Sequence, residues 1–397
     1  MKKFFVAGMM LIFSVAVLVF VLRGNETPVP HRNFIDAQIS QYSDKNITPN
    51  AIAINPEFKN IVFDASSKPS LFSNQPLNFT RDKLATVIRA IKSFTSPAKK
   101  EEIKTKEYGT WIWTPIMQMT PEYMESILSG AEADGVNAIY VSIDTYLDIF
   151  VMEKGQEREK QKEAFSDKLE DFIIRANENG IAVDAEAGWR NWAEEGNEYK
   201  AFAVANFVKN FNAEHKNKFR GFQYDVEPYL LDSYAENKAS VLKNFVKLVD
   251  QTENFLKENE LKFSVVAPDF YDGQDALTPK FSYNRKKDFA FGHLLNILDR
   301  RPDSSIIIMS YRNFSDGYDG AIAVSKNEMQ TANDGVHKTK IIIAQETGDV
   351  PPPYITFHNT SKKYFSRQIE KINATFNSHP NFGGIAIHYV NAFLAMR

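Results

Sequence analysis

Eight short runs of β-branched and aromatic residues, separated by longer amphipathic segments, dominate the sequence from residue 109 onward. The runs lie at 109–116, 136–143, 180–185, 219–225, 261–267, 304–311, 339–345 and 382–389. The segments between them with apolar residues at helical spacing include 120–134, 158–179, 232–259 and 360–378. Near-continuous apolar strands separated by helices are typical of a parallel sheet covered on both faces. Because eight such units close naturally on themselves, we predict an α/β fold of the (β/α)8, or TIM-barrel, type.

An open, doubly wound parallel sheet is the alternative that the same alternation allows. Sheets of that type that bind dinucleotides carry a glycine-rich turn after a strand. No such turn follows any of the eight runs. The chain has 397 residues and is 43% hydrophobic, which is enough for one large domain with an extension. We therefore prefer the barrel.

Composition excludes several classes of function. The net charge is −3 and the basic runs are short and isolated, so we predict no nucleic-acid partner. The chain has no cysteine, which rules out disulfides and thiolate nucleophiles. Its seven histidines show no paired ligand spacing, so neither a zinc site nor another cofactor is predicted.

The amino-terminal residues carry a membrane signal. Lys2 and Lys3 precede nineteen residues, 4–22, that are apolar except for one serine, and Arg23 follows them. A segment of that length just spans a bilayer as a helix, and the residues at its end form a poor cleavage site. We predict a membrane anchor within 1–23 and, from the lysines, an extracytoplasmic body. A cleaved signal segment, which would give a secreted protein, is the alternative.

Two further regions complete the predicted domain organisation. Residues 24–79 are rich in Pro, Asn, Ser and Asp and are predicted to form a stalk. Apolar residues at helical spacing predict a helix over 80–96, which would cover the last gap around the barrel. The barrel domain is accordingly assigned to 80–397.

The stretch "FRGFQYDVEPYLL", residues 219–231, ends a buried strand with two acids and a proline. Alternation along an extended chain places Asp225 and Glu227 on the same side. Two neighbouring carboxylates at the end of a buried strand cost desolvation and repulsion. A function that requires both acids would explain why the sequence keeps them.

Acids, aromatic residues and arginines recur where the other predicted strands end, which is the side of a TIM barrel that carries the chemistry. Aromatic faces stack on sugar rings, and acids bond to sugar hydroxyls. Asp225, Glu227 and Glu346 are predicted to be catalytic. The predicted substrate-binding residues are Trp113, Asp144, Glu186, Trp189, Arg190, Asp269, Tyr271, Tyr311, Arg312, His388 and Tyr389.

Structural roles are the alternative for several of these residues. Asp144, and Asp184 in the third run, are equally consistent with helix caps or loop acids. The two arginines, Arg190 and Arg312, would serve only to neutralise nearby acids. The tryptophans would simply pack, which is the commoner fate of that residue.

The residues around Glu227 resemble those of family 18 chitinase-like glycoside hydrolases. That family carries Asp-x-x-Asp-x-Asp-x-Glu on its fourth strand and Met-x-Tyr on its sixth. The last part matches as Asp225-Val226-Glu227, and the sixth run reads Met309-Ser310-Tyr311, whereas Arg220 and Gln223 stand where the family has its first two acids. The resemblance implies that Glu227 protonates the glycosidic oxygen and that Asp225 orients an acetamido group of the substrate.

A second resemblance is to the retaining clan of glycoside hydrolases with one glutamate after strand four and another after strand seven. Glu227-Pro228 is similar to the Asn-Glu-Pro of that clan, with Val226 in place of the asparagine. Glu346, in "IIIAQET", lies where the clan has its nucleophile, and Tyr311 would bond to it. Both resemblances cover about residues 109–390 and imply a (β/α)8 barrel.

Together these features predict a glycosidase that cleaves a poly- or oligosaccharide, with Glu227 as general acid/base. Repulsion from Asp225 is expected to favour the protonated form of Glu227. Glu346 would be the nucleophile or would stabilise charge, and Arg312, Tyr311 and His388 would set its ionisation and bind hydroxyls. An inactive, membrane-anchored barrel that binds glycans is the main alternative. A metal-dependent hydrolase that uses the same acids is a third.

Overall fold

The computed structural model describes residues 106–273 and 278–397. The predicted anchor at 4–22, the stalk at 24–79 and the helix at 80–96 lie outside the described residues. Among the described residues, no helix is both long enough and apolar enough to cross a membrane.

Eight parallel strands form a closed barrel, and each overlaps one of the eight predicted runs. The strands are β1 (Glu107–Ile112), β2 (Ala138–Ser142), β3 (Ala182–Ala187), β4 (Gly221–Tyr224), β5 (Lys262–Pro268), β8 (Ser305–Met309), β9 (Lys340–Glu346) and β10 (Phe382–His388). Around the barrel their order is β1-β10-β9-β8-β5-β4-β3-β2. Barrel strands that follow one another in the sequence are therefore paired, and the last strand, β10, pairs with the first, β1. The predicted barrel is confirmed.

Helices lie between successive barrel strands, as the alternating pattern predicted. The longer ones are α1 (Pro121–Ala133), α3 (Gln156–Glu178), α4 (Glu198–Glu214), α5 (Tyr234–Leu256), α6 (Ala290–Leu298), α8 (Lys326–Asp334) and α9 (Lys362–Phe376). Three short helices complete the set: α2 (Tyr146–Phe150), α7 (Ala321–Val324) and α10 (Val390–Leu394). The side chains of Thr120 and Ser361 cap α1 and α9 by accepting hydrogen bonds from backbone N–H groups.

A small antiparallel hairpin between β5 and β8 was not predicted. Its strands are β6 (Phe281–Tyr283) and β7 (Lys286–Asp288), joined by Asn284 and Arg285. Both turn residues have positive φ angles, 45° and 65°, which suits the right-handed twist of a tight hairpin. The Tyr283 hydroxyl donates to Asp250 of α5 at 2.6 Å, so the hairpin is fixed to the helical layer.

Apolar side chains form two layers. The outer layer packs the strands against the helices and contains the bulk of the buried Leu, Ile, Val and Phe side chains. The inner layer fills the barrel itself and includes Trp111, Tyr140, Val266, Ile307 and Ile342. Because both faces of each strand are covered, the strands have the near-continuous apolar sequences from which they were predicted.

Charged residues close the amino-terminal mouth of the barrel, and we call them the lower ion network. Its members are Glu107, Asp184, Arg220 and Lys262. Arg220 lies 2.9 Å from Glu107 and 2.5 Å from Asp184, and Lys262 lies 2.7 Å from Glu107. Asp184 is therefore an acid of this network and does not belong to the carboxyl-end site.

Burial alone would raise the pKa of Glu107, but Lys262 and Arg220, with hydrogen bonds from Lys262 and Tyr140, lower it to about 2. A Cβ atom on Gly221 would lie 2.9 Å from the Asp184 carboxylate and 2.9 Å from the Lys262 backbone. Glycine at that position therefore leaves the room that the network occupies.

Candidate active site

The candidate site lies at the carboxyl ends of the barrel strands, which we call the upper rim. Asp225 and Glu227 follow β4, Glu346 ends β9, and His388 ends β10. Trp113 follows β1 by one residue. All the strands of the barrel are parallel, so residues distant in sequence meet at one mouth.

Close backbone packing fixes the position of Asp225. Its N–H donates to the Ala187 carbonyl at 3.1 Å, which extends the pairing of β3 and β4 by one residue. A Cβ atom on Gly188 would lie only 2.3 Å from the Asp225 carbonyl, so glycine permits this approach. The Asp225 side chain is 8% exposed and therefore lies in a low-dielectric environment.

Glu227 is half-buried and lies at the start of a one-turn 3-10 helix, Pro228–Leu230. The Tyr229 hydroxyl donates to Oε1 of Glu227. Burial raises the pKa of Tyr229 well above its ordinary value, and the charge of Glu227 and this hydrogen bond raise it further. Tyr229 therefore stays protonated and acts as a donor. Its ring packs edge-on against Phe270 and Tyr271, which hold the hydroxyl in place.

Glu346 is 1% exposed, and both of its carboxylate oxygens accept hydrogen bonds. The backbone N–H of Gly348 donates to Oε1 at 2.6 Å, and Nδ1 of His388 contacts Oε2 at 2.7 Å. Two N–H donors on one buried carboxyl group favour its ionised form. The Glu346 carboxylate is consequently oriented by β9, by its own following loop and by β10.

His388 is bonded through both ring nitrogens. Nε1 of Trp113 lies 2.9 Å from Nε2 of His388, and Nδ1 of His388 bonds to Glu346. The ring centroids of Trp111 and Trp113 lie 5.7 and 5.5 Å from that of His388. The histidine is therefore held on several sides, although it is the last residue of its strand.

Tyr311 follows β8 by two residues and therefore lies at the upper rim. Burial raises its pKa well above its ordinary value, and the negative charges of Glu346, Asp225 and Glu227 raise it further. The raised pKa keeps the Tyr311 hydroxyl protonated, so it can donate a hydrogen bond.

Four of the predicted substrate-binding residues lie on the β2 and β3 side. Asp144 accepts a hydrogen bond from the Gly188 N–H at 3.1 Å, which joins the loops after β2 and β3. Glu186 is fully buried within β3. Trp189 is partly buried against the outer apolar layer, and the half-buried Arg190 begins the short helix Arg190–Ala193.

The remaining four residues lie near β5, β8 and β10. The guanidinium of Arg312 donates to Asp319 at 2.9 and 3.0 Å, and it lies 3.7 Å from Asp269. Tyr271 is 1% exposed and belongs to the apolar core next to Tyr229, so it packs within the core. Tyr389 is half-buried, with its pKa raised by burial and by Glu346.

Three contacts of the site were not anticipated from the sequence. Tyr229 contacts Glu227, the Gly348 N–H contacts Glu346, and Asp319 binds Arg312. The tyrosine two residues after Glu227 was a usable signal, because the intervening proline restricts the backbone between them. A backbone N–H contact has no residue-type signature, so the sequence carries none for Gly348.

No group of three or more acidic or histidine side chains within the described ranges is placed to hold a metal ion. No protein-family model matches the chain, and no curated protein matches it either.

Solved structures match the barrel at low sequence identity. The hyperthermostable endo-1,4-β-D-mannanase of Thermotoga petrophila is 9% identical, has a TM-score of 0.47, and aligns over 72% of this chain and 88% of its own. The β-mannanase of the blue mussel Mytilus edulis is 11% identical with a TM-score of 0.44, over 73% and 90% of the chains. A GH18 chitinase from Pseudoalteromonas aurantia is 13% identical with a TM-score of 0.44, over 72% and 94%. These likenesses concern the fold alone.

Proposed function

We propose that the barrel is a glycosidase that cleaves a glycosidic bond in a poly- or oligosaccharide, with Glu227 as general acid/base. The observation that carries the proposal is the position of Asp225, Glu227 and Glu346 at the carboxyl ends of β4 and β9, at one mouth of the parallel barrel. Glycosidic cleavage requires a proton donor and a second carboxylate on either side of the bond. Glu227 and Glu346 come from two different strand ends, those of β4 and β9, and are suited to these two roles.

The surroundings of the two glutamates divide the roles. Glu346 is buried and receives two N–H donors, which suits a carboxylate that remains an anion. Glu227 is half-buried, receives the Tyr229 hydroxyl, and lies two residues from the buried Asp225. Two carboxyl groups in contrasting environments are the usual arrangement for an acid and an anion acting on one substrate.

In the proposed reaction, Glu227 donates its proton to the glycosidic oxygen while the bond from that oxygen to the anomeric carbon breaks. Glu346 attacks that carbon or stabilises the positive charge that develops on it. Glu227 then accepts a proton from the incoming water while the water oxygen bonds to the anomeric carbon; where Glu346 had attacked that carbon, the bond between them breaks in the same step, which frees the Glu346 carboxylate and regenerates protonated Glu227. Tyr311 remains protonated and is suited to donate a hydrogen bond to the sugar or to Glu346.

The direct test is a screen of polysaccharides and cell-wall fragments for release of new reducing ends by the full chain. Glu227→Gln keeps the shape of the side chain and removes proton transfer, and we expect it to lower the rate by about 10²–10⁴-fold. The matched control is Glu260→Gln, at an exposed position before β5 near the opposite mouth, which should leave the rate unchanged.

Binding of a glycan without any product release would favour the inactive, glycan-binding barrel over the enzyme. An unchanged rate in Glu227→Gln would remove Glu227 from the mechanism even if the wild-type protein proved active. Loss of activity in the presence of a chelator would favour the metal-dependent alternative.

We also propose that residues 4–22 anchor the protein to a membrane and hold the barrel on its extracytoplasmic side. The nineteen-residue segment that is apolar except for one serine, and the two lysines before it, support this proposal. Resistance of the full chain to alkaline extraction from membranes, with the barrel open to external protease, is the expected result. Recovery of the protein in the soluble fraction would contradict it.

A further inference from the structure

Trp113, His388 and Glu346 form a continuous hydrogen-bonded chain at the upper rim. The distances are 2.9 Å from Trp113 Nε1 to His388 Nε2 and 2.7 Å from His388 Nδ1 to Glu346 Oε2. His388 is 6% exposed, so water has little access to either ring nitrogen. The chain connects strands β1, β10 and β9 across the barrel mouth.

The chemistry of the donors determines where the protons lie. An indole nitrogen donates and never accepts, so Nε2 of His388 must be the acceptor and carries no proton. A neutral imidazole then carries its proton on Nδ1 and donates it to the Glu346 carboxylate. Protonation of His388 would point two N–H groups, from Trp113 and from Nε2, at each other. The indole therefore opposes formation of the imidazolium ion.

We propose that Trp113 is a positioning residue that locks His388 as the neutral Nδ1–H tautomer and thereby keeps Glu346 ionised and fixed for the reaction. This inference rests on the proposed function for its catalytic consequence, whereas the tautomer itself does not depend on any activity. Stacking on a sugar, the role predicted for Trp113 from the sequence, uses the ring face, whereas this role uses the N–H group.

The other groups around His388 are compatible with the lock. Glu346 faces it from β9 in direct hydrogen-bond contact. The ring centroids of Tyr311 and Tyr389 lie 6.1 and 5.4 Å from that of His388. Burial is the main cause that raises the pKa of each phenol, so both are neutral. Asp225 and Glu227 act on the same region through their proximity to Tyr311.

The test is nitrogen NMR of the full chain with 15N-labelled histidine and tryptophan. The seven histidines give few enough signals for His388 to be assigned from the spectrum of His388→Gln. We expect the wild-type signal of a neutral ring protonated at Nδ1, together with a scalar coupling across the hydrogen bond between Trp113 Nε1 and His388 Nε2. A wild-type ring protonated at Nε2, or doubly protonated near neutral pH, overturns the proposal.

Trp113→Phe keeps an aromatic ring and removes the donor. We expect the midpoint of His388 protonation to rise by about one pH unit or more, because one opposing hydrogen bond is lost. The acid limb of the kcat profile should move in the same direction, with little change in KM. No movement of the midpoint contradicts the lock.

Trp111→Phe is the matched control. Trp111 also packs against the His388 ring, but its N–H donates to Gln223 at 2.7 Å. Its replacement should leave the His388 tautomer as in the wild type. Failure of this inference can be told apart from failure of the proposed function. An active Glu227→Gln variant would contradict the proposed function but would leave the nitrogen spectra of His388 unchanged.

Discussion

The two mouths of the barrel both carry buried acids, but the partners of those acids differ in kind. At the lower mouth, Glu107 and Asp184 lie 2.5–2.9 Å from the charged groups of Arg220 and Lys262. Each acid there is paired with a cation and is part of the packing that closes this mouth. The lower ion network is therefore a structural plug.

At the upper rim, Arg312 lies 3.7 Å from Asp269, whereas the donors described for Glu227 and Glu346 are neutral. Glu227 accepts from a tyrosine hydroxyl, and Glu346 accepts from an imidazole and from a backbone N–H. Neutral donors orient a carboxylate without cancelling its charge. The described partners of the acids thus differ between the two mouths.

The largest expected effect is on activity at Glu346. Glu346→Gln removes the anion and should lower kcat on the order of 10³-fold for every substrate. Glu227→Gln should regain much of its lost rate on aryl glycosides with good leaving groups, because such groups depart without protonation. If Glu346→Gln is the variant that regains its rate on activated substrates, the two roles are reversed.

Arg220 provides the matching test at the lower mouth. Arg220→Met leaves Asp184 buried without its bidentate partner and should lower the free energy of unfolding by about 3 kcal/mol. This loss is at the lower end of the range for breaking a buried ion pair, because the Arg220 side chain is 33% exposed. Urea denaturation measures it.

Arg312→Met serves as the control, since Asp319, its partner, is 40% exposed and such pairs contribute less than about 1 kcal/mol. Equal losses in the two variants would mean that the lower network is no more structural than a loop ion pair.

Acid should destabilise the lower mouth in a defined pH window. The pKa of Glu107 is lowered to about 2 from an ordinary 4.5, so its contribution to stability is fully present above about pH 4.5. It is lost as the pH falls through 2, and the gap corresponds to about 3 kcal/mol. Glu107→Gln should flatten the pH dependence of the unfolding free energy between these limits. An unchanged slope would contradict the ion pairing of Glu107.

The smallest effect is expected at Tyr229. Tyr229→Phe removes the hydroxyl that donates a hydrogen bond to Glu227 and keeps the ring that packs on Phe270 and Tyr271. Loss of one hydrogen bond of about 1 kcal/mol should lower kcat about fivefold to tenfold with little change in thermal stability. Tyr283→Phe, which removes the hydroxyl bonded to Asp250, is a control of similar chemistry distant from the upper rim. Equal activity losses in both variants would argue against a special role for Tyr229.

The barrel was predictable because the apolar runs of its strands reflect burial on both faces, and the pattern repeats eight times. The positions of Asp225, Glu227, Glu346 and His388 at one mouth followed from that fold alone, since parallel strands end on the same side.

Side-chain partners were much less predictable. Arg312 was expected to act on Glu346, but the loop after β8 supplies Asp319, seven residues away, and this acid binds it at 2.9 Å. The sequence left the role of Asp184 open. Its position in β3, nearer the lower mouth, makes it a member of the lower ion network. Tyr271 was predicted to bind substrate; its ring is buried beside Tyr229, and the substrate-binding role stays a prediction. Each of these outcomes depends on which way a side chain turns, and the residue pattern does not encode that direction.

The most direct test of the account compares Glu227→Gln with Glu107→Gln, measuring the rate of reducing-end release per folded molecule of the full chain. The account predicts that Glu227→Gln folds normally and loses hydrolysis, whereas Glu107→Gln is less stable and hydrolyses at the wild-type rate wherever it is folded. Wild-type hydrolysis by Glu227→Gln, or an equal loss of hydrolysis in both variants, would contradict it.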